Sequence, residues 1–278
     1  SKSSATPNNF IENHINQTAS HELNELDIPF TFAKPSSLIS FLAECCRLDS
    51  EDILLDFFSG SASSAHAILN LNKKDNRNRK YIQVQLPEYT PEESIARQNG
   101  FHTISEIGKE RIRRAANKIK EDLKQTIEYL NRREEKLKQD WANQKNEFLK
   151  DLDKIESIEI ELESIASEIL QAESKLVKLD FGFRVYRVAE SNMQDVYYKP
   201  QDYKQEALDL FADNVKPDRN PDDLLAQVML DWGLPLSLKI EQINIAEKQV
   251  FKVAENSLYA CFDKGIDEAF AKAIAKDA

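Results

Sequence analysis

Residues 53–70 read ILLDFFSGSASSAHAILN, and this stretch decides the fold. Its first six residues, Ile53–Phe58, form a short and nearly continuous apolar run, which predicts a buried strand of a parallel sheet. Small residues follow over Ser59–Ser64 and predict a tight loop, and Ala65–Leu71 predicts a helix. A strand, a small-residue loop and a helix in this order are related to the glycine-rich turn of doubly wound α/β folds.

The same loop has the composition of a nucleotide site. Small residues let the backbone approach a ligand closely, and the first amides of the following helix point at a negative or polar group. Asp56, at the strand end, supplies a carboxylate that can accept hydrogen bonds from such a ligand. The alternative is a tight strand–helix turn without a ligand, and the loop alone leaves both open.

The flanking segments continue the α/β pattern over residues 31–102. Pro35 suits the first turn of a helix that extends to about Arg47, and Tyr81–Leu86 predicts a second strand that ends at Pro87. Residues 1–30 are polar and weakly patterned, and they predict a connector.

The middle of the chain, residues 103–179, has a different character. Between Gly108 and Gly182 there is neither glycine nor proline, which together with abundant Glu, Lys, Leu and Ile predicts long helices. Apolar positions recur every seven residues, as in a coiled coil. The pattern predicts two helices, which fold into an antiparallel hairpin near residues 140–150 or continue as one rod.

The last third, residues 180–278, predicts a small α+β domain. Phe181–Val188 alternates apolar and polar residues, as a strand does. The other predicted elements are helices over Tyr203–Asp213 and Asp222–Trp232, short strands over Val250–Val253 and Leu258–Phe262, and a terminal helix from about Asp267.

The overall composition limits the function classes. The net charge of −11 argues against binding nucleic acid by bulk electrostatics, although local basic patches remain compatible with DNA. The three cysteines include no CxxC pair, so neither a metal site nor a disulfide framework is predicted, and free thiols fit a cytoplasmic protein. No apolar run approaches the roughly 20 residues that span a bilayer, so no membrane association is expected.

A family resemblance starts at the loop. DFFSGSASSAHA, residues 56–67, is similar to the D-F-F-x-G-S-G-[ST]-[ST]-A-H-A form of the adenosylmethionine loop in the modification (Mod) subunits of type III restriction–modification systems. Ala62 stands where that family usually has its second glycine. Alanine lacks the freedom of glycine at positive φ, and it adds a methyl group near the ligand.

Further matches flank the loop in order. FAKPSSLI (32–39) resembles the segment that closes over the methionine end of the cofactor, NRKYIQVQLPE (78–88) resembles the second strand of the family, and GFHTISEIGKERIRR (100–114) resembles the segment that follows. DFGFRVY (180–186), DDLL (222–225) and GLPL (233–236) are also similar, so the resemblance extends over nearly the whole chain. It implies that S-adenosyl-L-methionine is bound by Lys34, Pro35, Asp56, Phe58, Gly60, Ser61, Ala62, Ser64, Gln85 and Glu88.

The roles follow the same comparison. Glu88 ends the second strand and would bind the ribose, because two carboxylate oxygens match two vicinal hydroxyls. Asp56 would position the methionine end. The family's catalytic motif, [DNS]-P-P-[YFW], is absent, since no Pro-Pro pair occurs. We therefore expect a carboxyl-terminal portion of the subunit, without catalytic residues of its own.

The resemblance implies a fold class and an activity. The fold expected is α/β: part of a Rossmann-like methyltransferase domain, with a long coiled-coil-like helical insertion and a small α+β carboxyl-terminal domain. The activity implied is methyl transfer from S-adenosylmethionine to adenine N6 in double-stranded DNA. The partners implied are DNA, a second Mod subunit in a homodimer, and the restriction (helicase–nuclease) subunit.

Alternatives remain at several points. The chain could be a non-catalytic dimerisation or assembly module that contacts DNA or the restriction subunit. The basic residues over 109–120 could follow DNA phosphates or form a solvated helix face paired with Glu106 and Glu110, and the basic turn over 73–80 has the same two interpretations. His66 is expected to be packed or hydrogen-bonded rather than to touch the cofactor.

Overall fold

The computed structural model describes residues 14–146, 152–194 and 214–277. It mixes helices and sheets, and it divides between Phe183 and Arg184 into two compact units, called here the N-terminal and C-terminal units. The predicted helix Tyr203–Asp213 lies outside the described residues.

The described residues of the N-terminal unit form six short elements and two long helices. They are α1 (Asn16–Glu25), α2 (Ser36–Cys45), β1 (Ile53–Asp56), α3 (Ser63–Asp75), β2 (Lys80–Gln83), α4 (Ile95–Gln98), α5 (Ile104–Asn146) and α6 (Leu152–Lys178). The strands pair in parallel, with Ile53 opposite Lys80 and Asp56 opposite Gln83. The predicted strand, loop and helix at 53–71 and the predicted second strand are therefore present, with shorter strands and a longer helix.

The core of this unit lies around α1, α3 and the first turns of α5. Its buried side chains include Ala19, Leu23, Ala65, Leu69, Ile107, Ala115 and Ile119. Helix α1 falls within the stretch predicted as a connector, yet Ala19 and Leu23 are buried in this core. The residues that precede the predicted cofactor segments thus help to build their support.

The parallel pair is covered on one face only. Leu54 and Tyr81 face the side on which α3 packs, whereas Ile53 and Leu55 on the other face are 50% and 48% exposed. The prediction of a buried strand over Ile53–Phe58 is therefore wrong for alternate residues, because no described element covers the second face. Phe57 and Phe58 lie beyond the strand and are also exposed.

Helices α5 and α6 pack against each other in opposite directions. Arg133 pairs with Glu161, and the Trp141 indole Nε1 donates to Glu159 Oε1 at 2.8 Å. The chain therefore turns back between the helices, as in the hairpin alternative. At the other end of the hairpin, Asn78 Nδ2 donates to the Lys178 carbonyl (2.7 Å), and its Oδ1 accepts from the Asp180 amide (2.8 Å).

The strand predicted over Phe181–Val188 does not form. No described strand lies beside this segment, and its first aromatic rings pack against α5 instead. The Lys120 ammonium lies 4.9 Å from the Phe181 ring centroid, and the Arg113 guanidinium lies 5.5 Å from that of Phe183. Cation–π contacts and burial thus replace strand pairing here.

The C-terminal unit is an antiparallel sheet with helices. Its elements are α7 (Pro221–Asp231), β3 (Ile240–Ile245), β4 (Lys248–Val253), β5 (Leu258–Ala260) and α8 (Glu268–Asp277), with strand order β3-β4-β5. Asn220 begins α7 in a capping box with Asp223, and Pro221 occupies the first turn. The predicted helices at 222–232 and from Asp267 are confirmed, as are the two strands, and β3 is an additional strand.

Candidate functional site

The carboxyl ends of the two parallel strands define the candidate site. The Val84 amide donates to the Asp56 carbonyl at 2.8 Å, and the Ser59 amide donates to the Val84 carbonyl at 3.2 Å, so the strands stay together past their formal ends. A cleft of about 280 Å³ opens there. It is lined by Phe30, Phe57, Phe58, Gly60, Gln85, Leu86, Glu88 and Ile104.

Four of the ten predicted cofactor residues line this cleft: Phe58, Gly60, Gln85 and Glu88. The Gly60 amide donates to Gln85 Oε1 at 2.8 Å, which ties the loop to the second strand. The Glu88 carbonyl accepts from the Ile104 amide at 2.9 Å, so its backbone is held at the start of α5. Its exposed carboxylate has no hydrogen-bond partner among the described residues, and it is therefore available to accept from a ligand.

Asp56 and Ser64 form a small cluster beside the cleft. The buried Ser64 hydroxyl donates to Asp56 Oδ2, and the Phe58 amide donates to Oδ1 at 3.1 Å. The Ser64 oxygen also lies 3.0 Å from the Gln83 side-chain oxygen. These contacts fix the carboxylate of Asp56, and each of its oxygens keeps a lone pair for a further donor.

Ser61 and Ala62 lie on the inner side of the loop, against α5. Gly60 and Ala62 have left-handed backbones, with φ of 49° and 59°. A Cβ on Gly108 of α5 would lie 3.0 Å from the Gly60 carbonyl and 3.5 Å from the Ala62 methyl. The Ala62 methyl is buried against α5, since Gly108 leaves room for it there. That it also lies near a bound ligand stays a prediction.

Lys34 and Pro35 do not line the cleft. Pro35 is buried and precedes the first residue of α2, while Lys34 is exposed. The next residue is held firmly, because the Ser36 amide and hydroxyl both donate to the Glu22 carboxylate, at 3.0–3.1 Å and 2.8 Å. A role for Lys34 and Pro35 toward the methionine end of a cofactor stays a prediction.

Arg111 is the main residue that the sequence-based reasoning assigned differently. The sequence places it in a basic run, for which a solvated or a DNA-facing helix surface is expected, yet its side chain is fully buried beneath the loop. Its Nη1 donates to the Ser61 and Ser63 hydroxyls at 3.0 and 2.8 Å, and its Nη2 donates to Glu22 Oε2 at 3.0 Å. Burial lowers the pKa of Arg111, and the Glu22 carboxylate opposes that shift.

His66 completes this buried cluster. Its Nδ1 lies 3.3 Å from Arg111 Nη2. Burial, together with the charge of Arg111, lowers the pKa of His66 to about 3. The ring is therefore neutral near neutral pH, and its Nδ1 can accept from Arg111. The prediction that His66 is packed and hydrogen-bonded is confirmed.

Most of the other basic residues in the two basic segments, 109–120 and 73–80, pair with acids. On α5, Arg114 pairs with Glu110 and Asp27, and Lys118 pairs with Glu25. In the turn around Arg77, four basic side chains form ion pairs, with partners Asp122, Glu44, Asp49 and Asp75. These pairs favour structural roles over phosphate binding at both places.

Neither a metal site nor a membrane-spanning helix occurs among the described residues. Those residues contain no group of His, Cys, Asp and Glu side chains that could hold a metal ion. Among them, too, no helix combines the length and apolar character that crossing a membrane requires.

Comparison with known proteins gives partial matches. No family profile matches the chain. Over 106 residues it is 42% identical to the Type III restriction-modification enzyme EcoP15I Mod subunit of Escherichia coli, covering 37% of this chain and 16% of that protein. Over 122 residues it is 34% identical to the StyLTI Mod subunit of Salmonella typhimurium, covering 43% and 19%.

A third relative comes from another restriction–modification type. The Type II methyltransferase M.KpnI of Klebsiella pneumoniae is 30% identical over 92 residues, which cover 33% of this chain and 22% of that protein. The matched stretches thus make up about a fifth or less of each relative's length. They also cover less of this chain than the motif resemblance suggested.

Proposed function

Because part of this chain is homologous to the Mod subunits of type III restriction–modification enzymes, we propose that it forms the S-adenosylmethionine-binding portion of such a subunit. The whole protein would methylate adenine N6 in double-stranded DNA, with the target base flipped out of the helix. It would act as a homodimer with DNA and a restriction subunit as partners, in the cytoplasm.

The cleft at the ends of β1 and β2 carries this proposal. It combines the exposed carboxylate of Glu88, which has no partner in the described part of the chain, with the aromatic rings of Phe30, Phe57 and Phe58 and with the backbone at Gly60. A carboxylate suits two vicinal ribose hydroxyls, and aromatic rings suit a purine. The residues present therefore fit an adenosyl cofactor.

The chain's own residues would bind and orient the cofactor. Glu88 would hold the ribose, Phe58 and Gly60 would line the adenosyl group, and Asp56, fixed by Ser64, would accept from the amino group at the methionine end. The bound cofactor would supply an electrophilic methyl group. We assign no catalytic residue here, because the sequence contains no Pro-Pro pair, and we expect no methyl transfer by this chain alone in a DNA methylation assay.

Calorimetric titration with S-adenosylhomocysteine tests the binding role. Glu88→Ala should weaken binding by roughly tenfold or more, the cost of losing hydrogen bonds to a charged group. Glu92→Ala is the matched control, because Glu92 is an exposed acid in the same segment that does not line the cleft. Equal affinities for the two variants, or no binding by the folded parent chain, would contradict a working site at Glu88.

One observation favours the second candidate, an assembly module. Helix α6 exposes Ile160, Leu170 and Val177, at 63%, 67% and 85%, on a hairpin that extends from the core. Exposed apolar side chains on a long helix are typical of surfaces that pair with another helix. Sedimentation equilibrium of the chain and of an Ile160→Glu, Leu170→Glu variant would test it: dissociation only in the variant supports assembly, and identical masses oppose it.

A further inference from the structure

The cluster around Arg111 joins two segments that are distant in sequence. At one end its guanidinium holds the Ser61 and Ser63 hydroxyls, within the loop that shapes the cleft. At the other end it pairs with Glu22, whose carboxylate accepts from the Ser36 amide and hydroxyl. Ser36 directly follows Lys34-Pro35, the second predicted cofactor segment. A continuous chain of hydrogen bonds therefore connects the two segments behind the site.

The loop needs an external support. Gly60 and Ala62 both have positive φ, and a left-handed backbone costs a non-glycine residue roughly 1–2 kcal/mol. Helix α3 begins at Ser63 with no side-chain cap at its amino terminus. The Ser61 and Ser63 hydroxyls, which flank Ala62, are therefore the groups through which hydrogen bonds can hold the loop in its conformation. Both accept from Arg111.

Stability alone does not account for an arginine at this position. Burying an ion pair removes two charges from water, and well-packed apolar residues often stabilise a core at least as well. A planar guanidinium, in contrast, can hold several acceptors at fixed angles. Here these are two hydroxyls, a carboxylate and a neutral imidazole. The arrangement specifies geometry, and the geometry it specifies is that of the loop.

We propose that the buried Arg111–Glu22 pair has a positioning role. It fixes the loop Ser59–Ser64 and the segment Lys34–Ser36 relative to each other, in the arrangement that binds the cofactor. This inference rests on the proposed function for its ligand, but the mechanical coupling it describes does not require a ligand. Neither Arg111 nor Glu22 lines the cleft. A disturbance at one end of the pair must therefore appear at the other.

Hydrogen exchange of the unliganded 278-residue chain tests the coupling. The reporters are the Ser59, Gly60 and Ala62 amides of the loop and the Ser36 amide, all hydrogen-bonded in the structure. Glu22→Gln keeps the shape but removes the charge, and we expect roughly tenfold faster exchange at both the loop and Ser36. The control is Arg132→Lys. Arg132 is an exposed residue of α5, the helix that contains Arg111, and it pairs with Glu128, so this variant should change the exchange of neither segment.

Two further variants perturb the same cluster at points other than Glu22. Arg111→Lys keeps a charge but cannot span the four acceptors, and it should also speed exchange at both segments. Ser63→Ala is small enough to leave the fold intact, and it should speed exchange in the loop by about threefold. If Glu22→Gln alters Ser36 alone, or loosens α1, α5 and the loop to the same degree, the pair does not couple the segments and the inference is wrong.

Affinity for S-adenosylhomocysteine separates this inference from the proposed function. If the parent chain binds and Glu88→Ala does not, Glu22→Gln should weaken binding about tenfold, while Glu22→Gln with Ser63→Ala should be little weaker than Glu22→Gln alone. Unchanged affinity in Glu22→Gln would overturn the positioning role and leave the site itself standing. If the parent chain binds nothing, the proposed function fails, and the exchange data still decide the coupling.

Discussion

The two sheets of this molecule differ in how completely they are covered. In the C-terminal unit, Val250, Phe251 and Val253 of β4 are fully buried. Phe251 and Val253 pack with Leu225 and Met229 of α7. In the N-terminal unit, Ile53 and Leu55 of β1 are about half exposed on one face of the parallel pair. The C-terminal sheet completes its own core, whereas the N-terminal sheet leaves an apolar face exposed.

This difference concerns the site directly. Both faces of a parallel sheet are normally covered, because its crossover helices lie on both sides. The candidate cleft therefore lies at the edge of an incompletely covered sheet. The buried cluster around Arg111 supports its loop from beneath. The open face fits the proposal that this chain is a portion of a larger subunit, in which further elements would cover that face.

The largest expected effect comes from truncating the covered sheet. Phe251→Ala should lower the free energy of unfolding of the C-terminal unit by about 3–5 kcal/mol, because it leaves a cavity among fully buried side chains. Leu55→Ala, on the open face, should cost less than about 1 kcal/mol. Urea unfolding followed by hydrogen exchange of each unit measures both. Equal losses would mean that the open face is covered in solution.

The second-largest expected effect is the pH dependence of the free energy of unfolding, which should differ between the two units. Between the unfolded pKa of His66, 6.5, and its folded value of about 3, only the unfolded chain binds the proton. The stability of the N-terminal unit should therefore decrease as pH falls, by about 2 kcal/mol from pH 6.5 to 5. All four histidines precede Arg184, so the C-terminal unit lacks this contribution.

His66→Gln should flatten that acid dependence. His102→Gln is the control, because the His102 ring is exposed and its contact among the described residues is with Arg97 at the surface. Thermal unfolding of each variant across pH 5–7 is the measurement. A parent slope that persists in His66→Gln would assign the effect to other groups.

Two alanines with positive φ allow a finer comparison. Ala246, with φ of 48°, is exposed in the β3–β4 turn, and Ala246→Gly should stabilise the C-terminal unit by about 1 kcal/mol by relieving left-handed strain. Ala62→Gly should gain less, close to zero, because it also removes a buried methyl group worth roughly 0.8 kcal/mol. Thermal melts of both variants compare them, and a larger gain for Ala62→Gly would show that its methyl group is not well packed.

The smallest expected effect lies on the open face. Ile82→Thr should change the unfolding free energy by less than about 0.5 kcal/mol, since Ile82 is half exposed and threonine suits a strand. It should also reduce the binding of an apolar fluorescent dye. Val250→Thr, in the covered sheet, is the contrasting control and should be strongly destabilising.

Much of this architecture follows from local patterns. The apolar run before the small-residue loop predicts β1 and α3, the heptad spacing predicts the long helices, and Asn220-Pro221 predicts the start of α7. Strand β3 was missed because its turn, Ala246-Glu247, has positive φ at both residues without the glycine or asparagine that signals such turns. Helix α1 was missed because Ala19 and Leu23 give too weak an apolar spacing.

The site was predictable in part. Parallel strands bring their carboxyl ends together, so Phe58, Gly60, Gln85 and Glu88 could be expected at one edge. The orientation of the Ala62 methyl could not, because it depends on how α5 packs through Gly108. Arg111 had a signal that was overlooked: it stands four residues after Ile107 and four before Ala115, on the apolar face of α5.

The hydrogen bonds of Asn78 have a consequence for how the length of the α5–α6 hairpin can vary. By holding the Lys178 carbonyl and the Asp180 amide, it returns the chain to the start of β2 after the whole excursion of α5 and α6. At the other end of the base, the Ile104 amide at the start of α5 donates to the Glu88 carbonyl, so both ends of the hairpin are anchored.

Removing seven residues from each helix near the tip should shorten the reach by roughly 10 Å. The affinity for S-adenosylhomocysteine should not change, and a calorimetric titration would reveal any dependence. The hairpin can therefore serve as an adjustable spacer, whose span is set apart from the cleft.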